Sequence, residues 1–249
     1  MSPRMPRIPT TIHTIEHAEP AQAAVMPQLL RLLHLASPAL PIGAFHFSQG
    51  LEYAVEAGWV TDERSAGEWI GGLAAGGIAT LDLPVLCRLQ AGWAHDDLAA
   101  VRRWNSFLIA SRETTELRLE DRHLGAALLR VLAEFGLRTD AFAARDGAPP
   151  GIAHATAFAF AGARWDLAPR AMLETYAWSW AENQVLSAVK LVPLGQSAGQ
   201  RILHALSPRL GALAARAVDL ADSDIGISSC IAAIASGRHE TQYTRLFRS

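Results

Sequence analysis

Apolar side chains recur every third or fourth residue along most of this chain, and sustained alternation with period two is hard to find anywhere in it. That rhythm admits helices and leaves nothing from which to build a sheet. Leu83, Leu86, Leu89 and Trp93 share one helical face, and Leu117, Leu124, Leu128, Val131 and Phe135 share another. Thr61 or Asp62 can cap a helix carrying Trp69, Ile70 and Leu73 that fades at Gly76-Gly77. Asp82 can cap the next, with Pro84 in a first turn where a missing N–H costs little. Residues 96–111 form a third helix, and Gly136 offers a left-handed stop after Phe135. From Ala168 or Pro169 to about Leu191 the residues Leu173, Tyr176, Trp178, Trp180, Val185, Leu186 and Val189 leave no polar face, so this helix is expected at the centre. Stretches 202–206, 210–220 and 225–235 complete the set. The expected fold is all-α, a single domain of about ten helices around a central buried helix, spanning residues 25–240. Hydrophobic residues make up 50% of the chain and charged residues 18%, enough to fill such a core.

One passage departs from the rhythm without becoming polar. The helical stripe Leu29, Leu30, Leu32, Leu33, Leu35 should stop near Ser37, because Pro38 disfavours a helical residue before it. Pro41 and Gly43 then hold an irregular segment, and Ser48 or Gln49 opens a second helix. Between them lie Ala39, Leu40, Ile42, Ala44, Phe45 and Phe47, the residues of a core. An apolar loop has to be covered, either by its own domain or by a partner.

Charge and cysteine content narrow the field. A formal net charge of −2 gives no general pull toward nucleic acid or an anionic membrane. Cys87 and Cys230 sit in apolar helical contexts and read as buried thiols of a reducing compartment. No apolar run reaches about 18 residues, and the N-terminus lacks the apolar core of a signal peptide, so a cytoplasmic protein with no membrane span is expected. Residues 1–24, with Pro3, Pro6, Pro9 and Pro20, read as a flexible arm; His13 and His17 are four apart there, but the prolines oppose the helix that would pair them on a metal. Residues 146–150, Asp-Gly-Ala-Pro-Pro, mark the best candidate for a long loop.

Chemistry-bearing patterns are few. Gly195-Gln196-Ser197-Ala198-Gly199 matches the G-x-S-x-G nucleophile elbow, and an acid (Asp219, Asp222 or Asp224) and His239 follow in the hydrolase order. The elbow requires a strand before the serine, whereas a helix and Val192-Pro193-Leu194 precede this one, so small residues opening a helix are the better reading of Ser197. The same stretch has neither the spacing nor the Lys-Ser/Thr of a P-loop. Histidines 34, 46, 95, 123, 154, 204 and 239 are scattered, without the pairings of a zinc site. His34 reads as a core residue, His46 as exposed on the loop, and His239-Glu240 as a solvated pair. Glu182-Asn183-Gln184 interrupts the buried helix and is either a satisfied polar network or the lining of a channel. Lys190 is the single lysine among 22 basic residues, and a compact ammonium can act where a planar guanidinium cannot. Residues 241–249 have no helical stripe but carry Tyr243, Leu246 and Phe247 beside Arg245 and Arg248, the residue types of interface hot spots. This tail either folds back on its own domain or orders on a partner.

Three islands in order resemble the UreF family of urease accessory proteins: Leu35-x-Ser37-Pro38-x-Leu40-Pro41-Ile42-Gly43-Ala44-Phe45 with Ser48-x-Gly50-Leu51-Glu52; Lys190-Leu191-Val192-Pro193-Leu194-Gly195-Gln196 with Gly199-Gln200-Arg201; and Gln242 through Ser249. The resemblance implies a scaffold in nickel insertion into urease, not an enzyme: a homodimer that binds the accessory protein UreD (also called UreH), recruits the GTPase UreG, and acts on the urease apoprotein. It implies no catalytic, cofactor-binding or metal-ligating residue in this chain, nickel being handled by the complex. Carried over by motif, Phe45, His46, Phe47, Ser48, Gln49 and Glu52 lie at or near the partner surface, Lys190, Gln196 and Arg201 belong to the second island, and Tyr243, Arg245, Phe247 and Arg248 to a docking tail. The resemblance tips the tail toward a partner. His46-Phe47 stands where many members have Ser-Tyr, which removes two hydroxyls, and Thr244 replaces a common serine.

Overall fold

The computed structural model describes residues 27–142, 151–226 and 229–249; the arm at 1–24 and the loop at 146–150 lie outside them. Among the described residues there are nine α-helices and no strand: α1 Gln28–Ala36, α2 Leu51–Glu56, α3 Glu63–Ala94, α4 Leu98–Ala110, α5 Thr115–Glu134, α6 His154–Arg164, α7 Pro169–Leu191, α8 Gln196–Val218 and α9 Cys230–His239. They pack around one continuous hydrophobic core. The all-α expectation holds.

Most boundaries fall where local chemistry puts them. Asp62 and Ser65 form a reciprocal capping box at the start of α3, Asp97 caps α4, and Thr114 caps α5. Gly136 ends α5 in the left-handed region, at φ +82°. The chain differs from expectation inside α3. Instead of breaking at Gly76-Gly77 and restarting at Asp82, the helix runs on, widened to π winding over Ala74–Asp82. Leu73, Ala74, Ile78, Leu81 and Leu83 are all buried on this stretch, and that packing overrides the weak propensity of two glycines. Pro84 cannot donate to the turn before it, and Gly226 N–H donates to the Thr80 carbonyl at 3.1 Å. Asp82 is therefore no cap; it is a buried helical residue whose carboxylate points across the core. The joined helix is long and apolar enough to cross a membrane by length and composition, which piecewise reading missed, but 67% of its apolar window is buried inside the protein. It is a core helix.

A second junction also disappears: stretches 202–206 and 210–220 are one helix, α8, with Pro208 inside it. Two helices divide the interior. In α6 every residue from Ala155 to Gly162 is buried, and Gly125 of α5 is required beside it, since a Cβ there would lie 2.0 Å from the Ile152 carbonyl. The 23-residue α7 is the hub, touching α1, α2, α3, α6 and α8. Of the cysteines, Cys87 is half-buried but Cys230 is exposed at the start of α9, contrary to its apolar context.

Candidate partner-binding site

The irregular passage after α1 is covered from within. Leu40, Ile42 and Phe47 are buried, while Phe45 keeps about half of its surface (49%) and His46 is exposed, stacked on Phe45 at 4.0 Å. Left-handed backbone at Gly43, Gln49 and Gly50 lets so short a segment turn twice. Gly50 serves a second purpose: a Cβ there would stand 2.8 Å from the Ser236 nitrogen, so α9 can cross α2 only at a glycine. Asn183 of α7 donates to the Phe47 carbonyl at 3.2 Å, and Trp180 donates to Gln49 Oε1 at 2.8 Å.

Across this loop lie residues 245–249, a strap without regular secondary structure that bends at Leu246 and Phe247. Its backbone is fastened at four groups, the N–H groups of Leu246, Phe247 and Arg248 and the carbonyl oxygen of Ser249. Glu52 accepts from the N–H groups of Leu246 (2.6 Å) and Phe247 (2.9 Å). Arg248 N–H donates to the His46 carbonyl at 2.8 Å, and both the N–H and the hydroxyl of Ser48 donate to Ser249 O, at 2.7 and 2.6 Å. Ser249 Oγ donates to Glu120 Oε2, and Gln49 Nε2 donates to the other oxygen of that carboxylate, both at 2.7 Å. Arg245 pairs with Glu116 at 2.7 Å. His239, fully buried, stands between two carboxylates: Nδ1 is 2.6 Å from Glu116 Oε2 and Nε2 is 3.1 Å from Glu52 Oε2.

The sequence-derived residues divide accordingly. Phe47, Ser48, Glu52 and Phe247 are buried in the chain's own interior, so they are not direct contacts for another molecule in this conformation. They hold the strap. Of the two fates open to the tail, this structure adopts the folded-back one, because Glu52 and Ser48 satisfy backbone groups that an extended chain end would otherwise leave to water. Facing outward are Phe45, His46, Arg248, Lys190 and Tyr243, the last wholly exposed. The Lys190 ammonium lies over two rings, 5.6 Å from Phe45 and 5.7 Å from Phe247, joining the second island to the other two. Gln196 and Arg201 are not drawn in: Gln196 is exposed at the start of α8, and Arg201 forms a bidentate pair with Glu63 of α3 at 2.8 and 2.6 Å. That pair holds the Glu63 carboxyl below its usual range.

Glu116 and Glu120 escaped the sequence reading, Trp180 and Asn183 entered it only as residues of the central helix and its polar triplet, and His239 was misread as solvated. Glu116 and Glu120, four apart on a helix, were the available signal. Glu240 is also engaged, accepting from the N–H groups of Thr115 and Glu116 at the start of α5. In the polar triplet of α7, Glu182 is half-buried with its carboxyl shifted up by burial, and Gln184 is fully buried.

Beneath the loop is a cavity of about 120 Å³ whose polar wall includes Asp82, Arg112, Asp121, His154 and Tyr176. Arg112 grips Asp82 with two nitrogens (3.0 and 2.6 Å) and Asp121 with a third (2.9 Å), and Tyr176 donates to Asp82 at 3.2 Å. Burial works against the guanidinium charge, but the two aspartates outweigh it and hold Arg112 well above its ordinary value. Burial pushes the His154 imidazole down to about 4 and the Tyr176 phenol well up. Among the described residues no group of three or more His, Cys, Asp or Glu is arranged to hold a metal ion.

Ser197 sits exposed in the first turn of α8 behind an extended Val192, with no strand before it, and both ring nitrogens of His239 are engaged by Glu52 and Glu116. The elbow geometry is absent. What the fold builds with care is a surface: an apolar loop, a pinned chain end, and aromatic and cationic side chains turned outward around them. That defines a helical binding protein. The UreF family model matches residues 60–207. Over 222 residues the chain is 47% identical to the urease accessory protein UreF of Teredinibacter turnerae, covering 89% of this chain and 99% of that protein. The UreF proteins of Alkalilimnicola ehrlichii and of Azoarcus sp. are also 47% identical, over 88% and 89% of this chain and 95% of each relative. The chain belongs to the UreF family, an accessory protein of urease and not an enzyme.

Proposed function

We propose that the chain is the scaffold on which nickel is inserted into urease: a cytoplasmic homodimer that binds UreD (UreH), recruits the GTPase UreG and brings both to the urease apoprotein. GTP hydrolysis belongs to UreG, nickel is cargo of the assembly, and this chain contributes no cofactor. The observation that carries the reading is the pinned strap. A segment held at the Leu246, Phe247 and Arg248 amides exposes Leu246 and Arg248 against the loop that carries Phe45 and His46, with Tyr243 exposed just before it, at little further ordering cost, which suits a docking surface. Tyr243 and Leu246, 103% and 68% exposed, are the large apolar side chains with most to gain from burial there. The buried residues Phe47, Ser48, Glu52 and Phe247, with the half-buried Gln49, act one step back, by fixing that surface.

The test is capture by tagged UreD of the full chain and of the Tyr243→Ala/Leu246→Ala variant. Weaker capture of the variant, at unchanged thermal stability, is the expected result. Equal capture of both would remove the strap from the interface. Light scattering on the purified chain checks the dimer, and a monomer at all concentrations would overturn that part.

A further inference from the structure

Two histidines far apart in the sequence come together beside the loop. His46 ends the short turn Ala44–His46, His123 stands on α5, and both are exposed. They meet over Gly43. A Cβ on that glycine would lie 3.5 Å from His46 Nδ1 and 3.5 Å from His123 Nε2. The two nitrogens therefore border one space and, at 3.5 Å either side of a single point, stand no more than 7.0 Å apart. Only glycine leaves that space open. His123 has no hydrogen-bond partner among the described residues, and His46 Nδ1 donates to the Gly43 carbonyl oxygen alone, at 3.2 Å. Each ring is backed by an aromatic neighbour, His46 by Phe45 at 4.0 Å and His123 by Phe47 at 5.7 Å.

We propose that His46 Nδ1 and His123 Nε2, with the Gly43 carbonyl oxygen beside them, form a surface site for a divalent transition-metal ion of the kind that favours imidazole, such as Zn²⁺ or Ni²⁺.

Imidazole nitrogens bind such ions at about 2.0–2.1 Å, so two ligand atoms on one tetrahedral ion sit about 3.3 Å apart. His46 Nδ1 and the Gly43 oxygen already have nearly that separation. Ligation by Nδ1 moves the ring proton of His46 to its other nitrogen, and the carbonyl oxygen, freed of its donor, becomes a weak third ligand. The His123 ring closes the set by a rotamer-scale swing, which exposed side chains make readily. Water fills the remaining position, so the site is open, unlike a closed structural zinc site. Lys190, over the Phe45 ring, and Arg248, bonded through its N–H to the His46 carbonyl, oppose a cation here and weaken its binding. The site lies on the face proposed above for UreD but needs no partner, so its test on the chain alone is separate from capture by UreD.

The imidazole ¹⁵N shifts of His46 and His123, followed in the full chain at pH 7.5 as Zn²⁺, Ni²⁺ or Mg²⁺ is added, read the site directly and ignore metal held by other histidines. With Zn²⁺ the shifts of both rings should move at one common midpoint, and Ni²⁺ should broaden both together. Mg²⁺, which prefers oxygen ligands, should move neither. Outer-sphere partners of a metal are worth about 10–100-fold in affinity, so loss of a ligand should cost at least about tenfold. His123→Ala should thus raise the His46 midpoint tenfold or more, and His46→Ala should do the same to that of His123. Separate midpoints for the two rings in the unaltered chain, no movement up to about 1 mM Zn²⁺, or a midpoint unchanged in either variant would overturn the site. The first two outcomes need no variant and decide the matter even where a substitution disturbs the loop.

Discussion

Two seams in this molecule are stitched with carboxylates, and they are stitched to different ends. In the interior, Asp82 of α3 and Asp121 of α5 clasp one guanidinium, that of Arg112, between segments anchored at both ends by long helices. At the surface, Glu52, Glu116 and Glu120 clasp the Leu246 and Phe247 N–H groups, a serine hydroxyl and Arg245, all within residues 245–249, which have no helix of their own. Opening the interior seam means parting α3 from α5 and leaving two buried charges unpaired. Opening the surface seam lifts a few residues into water, where every group released finds a new partner. The same acid–base vocabulary thus makes a permanent joint in one place and a releasable one in the other, and what separates them is what is clasped: a buried charge between long helices, or the backbone of a short irregular segment.

The sharpest way to break this comparison is to cut each seam once. Arg112→Ala leaves Asp82 and Asp121 buried against each other and should cost about 3–5 kcal/mol, enough to threaten folding at ambient temperature; urea denaturation measures it. Glu52→Ala removes the acceptor for two strap amides and one partner of His239, and should cost about 2 kcal/mol. Its signature differs in kind. Trypsin should reach Arg245 many times faster in Glu52→Ala than in the parent chain at a temperature where the helical core of both is intact. If Glu52→Ala instead lowers the global unfolding midpoint as far as Arg112→Ala does, the strap is part of the core and the distinction fails.

The two seams also differ in how far sequence revealed them. Ser48 and Glu52 stand out as polar residues four apart at the opening of α2, and Phe247 as an aromatic in a segment with no helical stripe. What they do was hidden, because the strap meets α2 across nearly two hundred residues of chain and no local pattern encodes that encounter. The helical fold was legible because its signal is periodic and three of the helices carry their own side-chain caps, at Asp62, Asp97 and Thr114. The interior seam was misread for the opposite reason: Asp82 before Leu83-Pro84 is a good local N-cap signal, and tertiary packing overrode it by winding Ala74–Asp82 through as a π segment. His239 illustrates both failures, since its neighbours Glu52 and Glu116 come from elements that its own surroundings do not announce.

The smallest expected effects sharpen the surface side of the comparison. Lys190 and Arg201 are both exposed cations from the same sequence island, yet only Lys190 touches the seam, its ammonium over the rings of Phe45 and Phe247. Lys190→Ala should loosen the strap by about 0.5–1 kcal/mol, the usual range for an exposed cation over an aromatic face, seen as a few-fold rise in tryptic cleavage at Arg245. Arg201→Ala removes a solvent-exposed pair with Glu63 and should change neither stability nor cleavage measurably. Because both variants remove one positive charge, a general electrostatic effect on the protease or on the tail would move them equally. A difference confined to Lys190→Ala therefore reports the aromatic contact itself, and equal behaviour of the two would show that the ammonium over Phe247 plays no part in holding the chain end down.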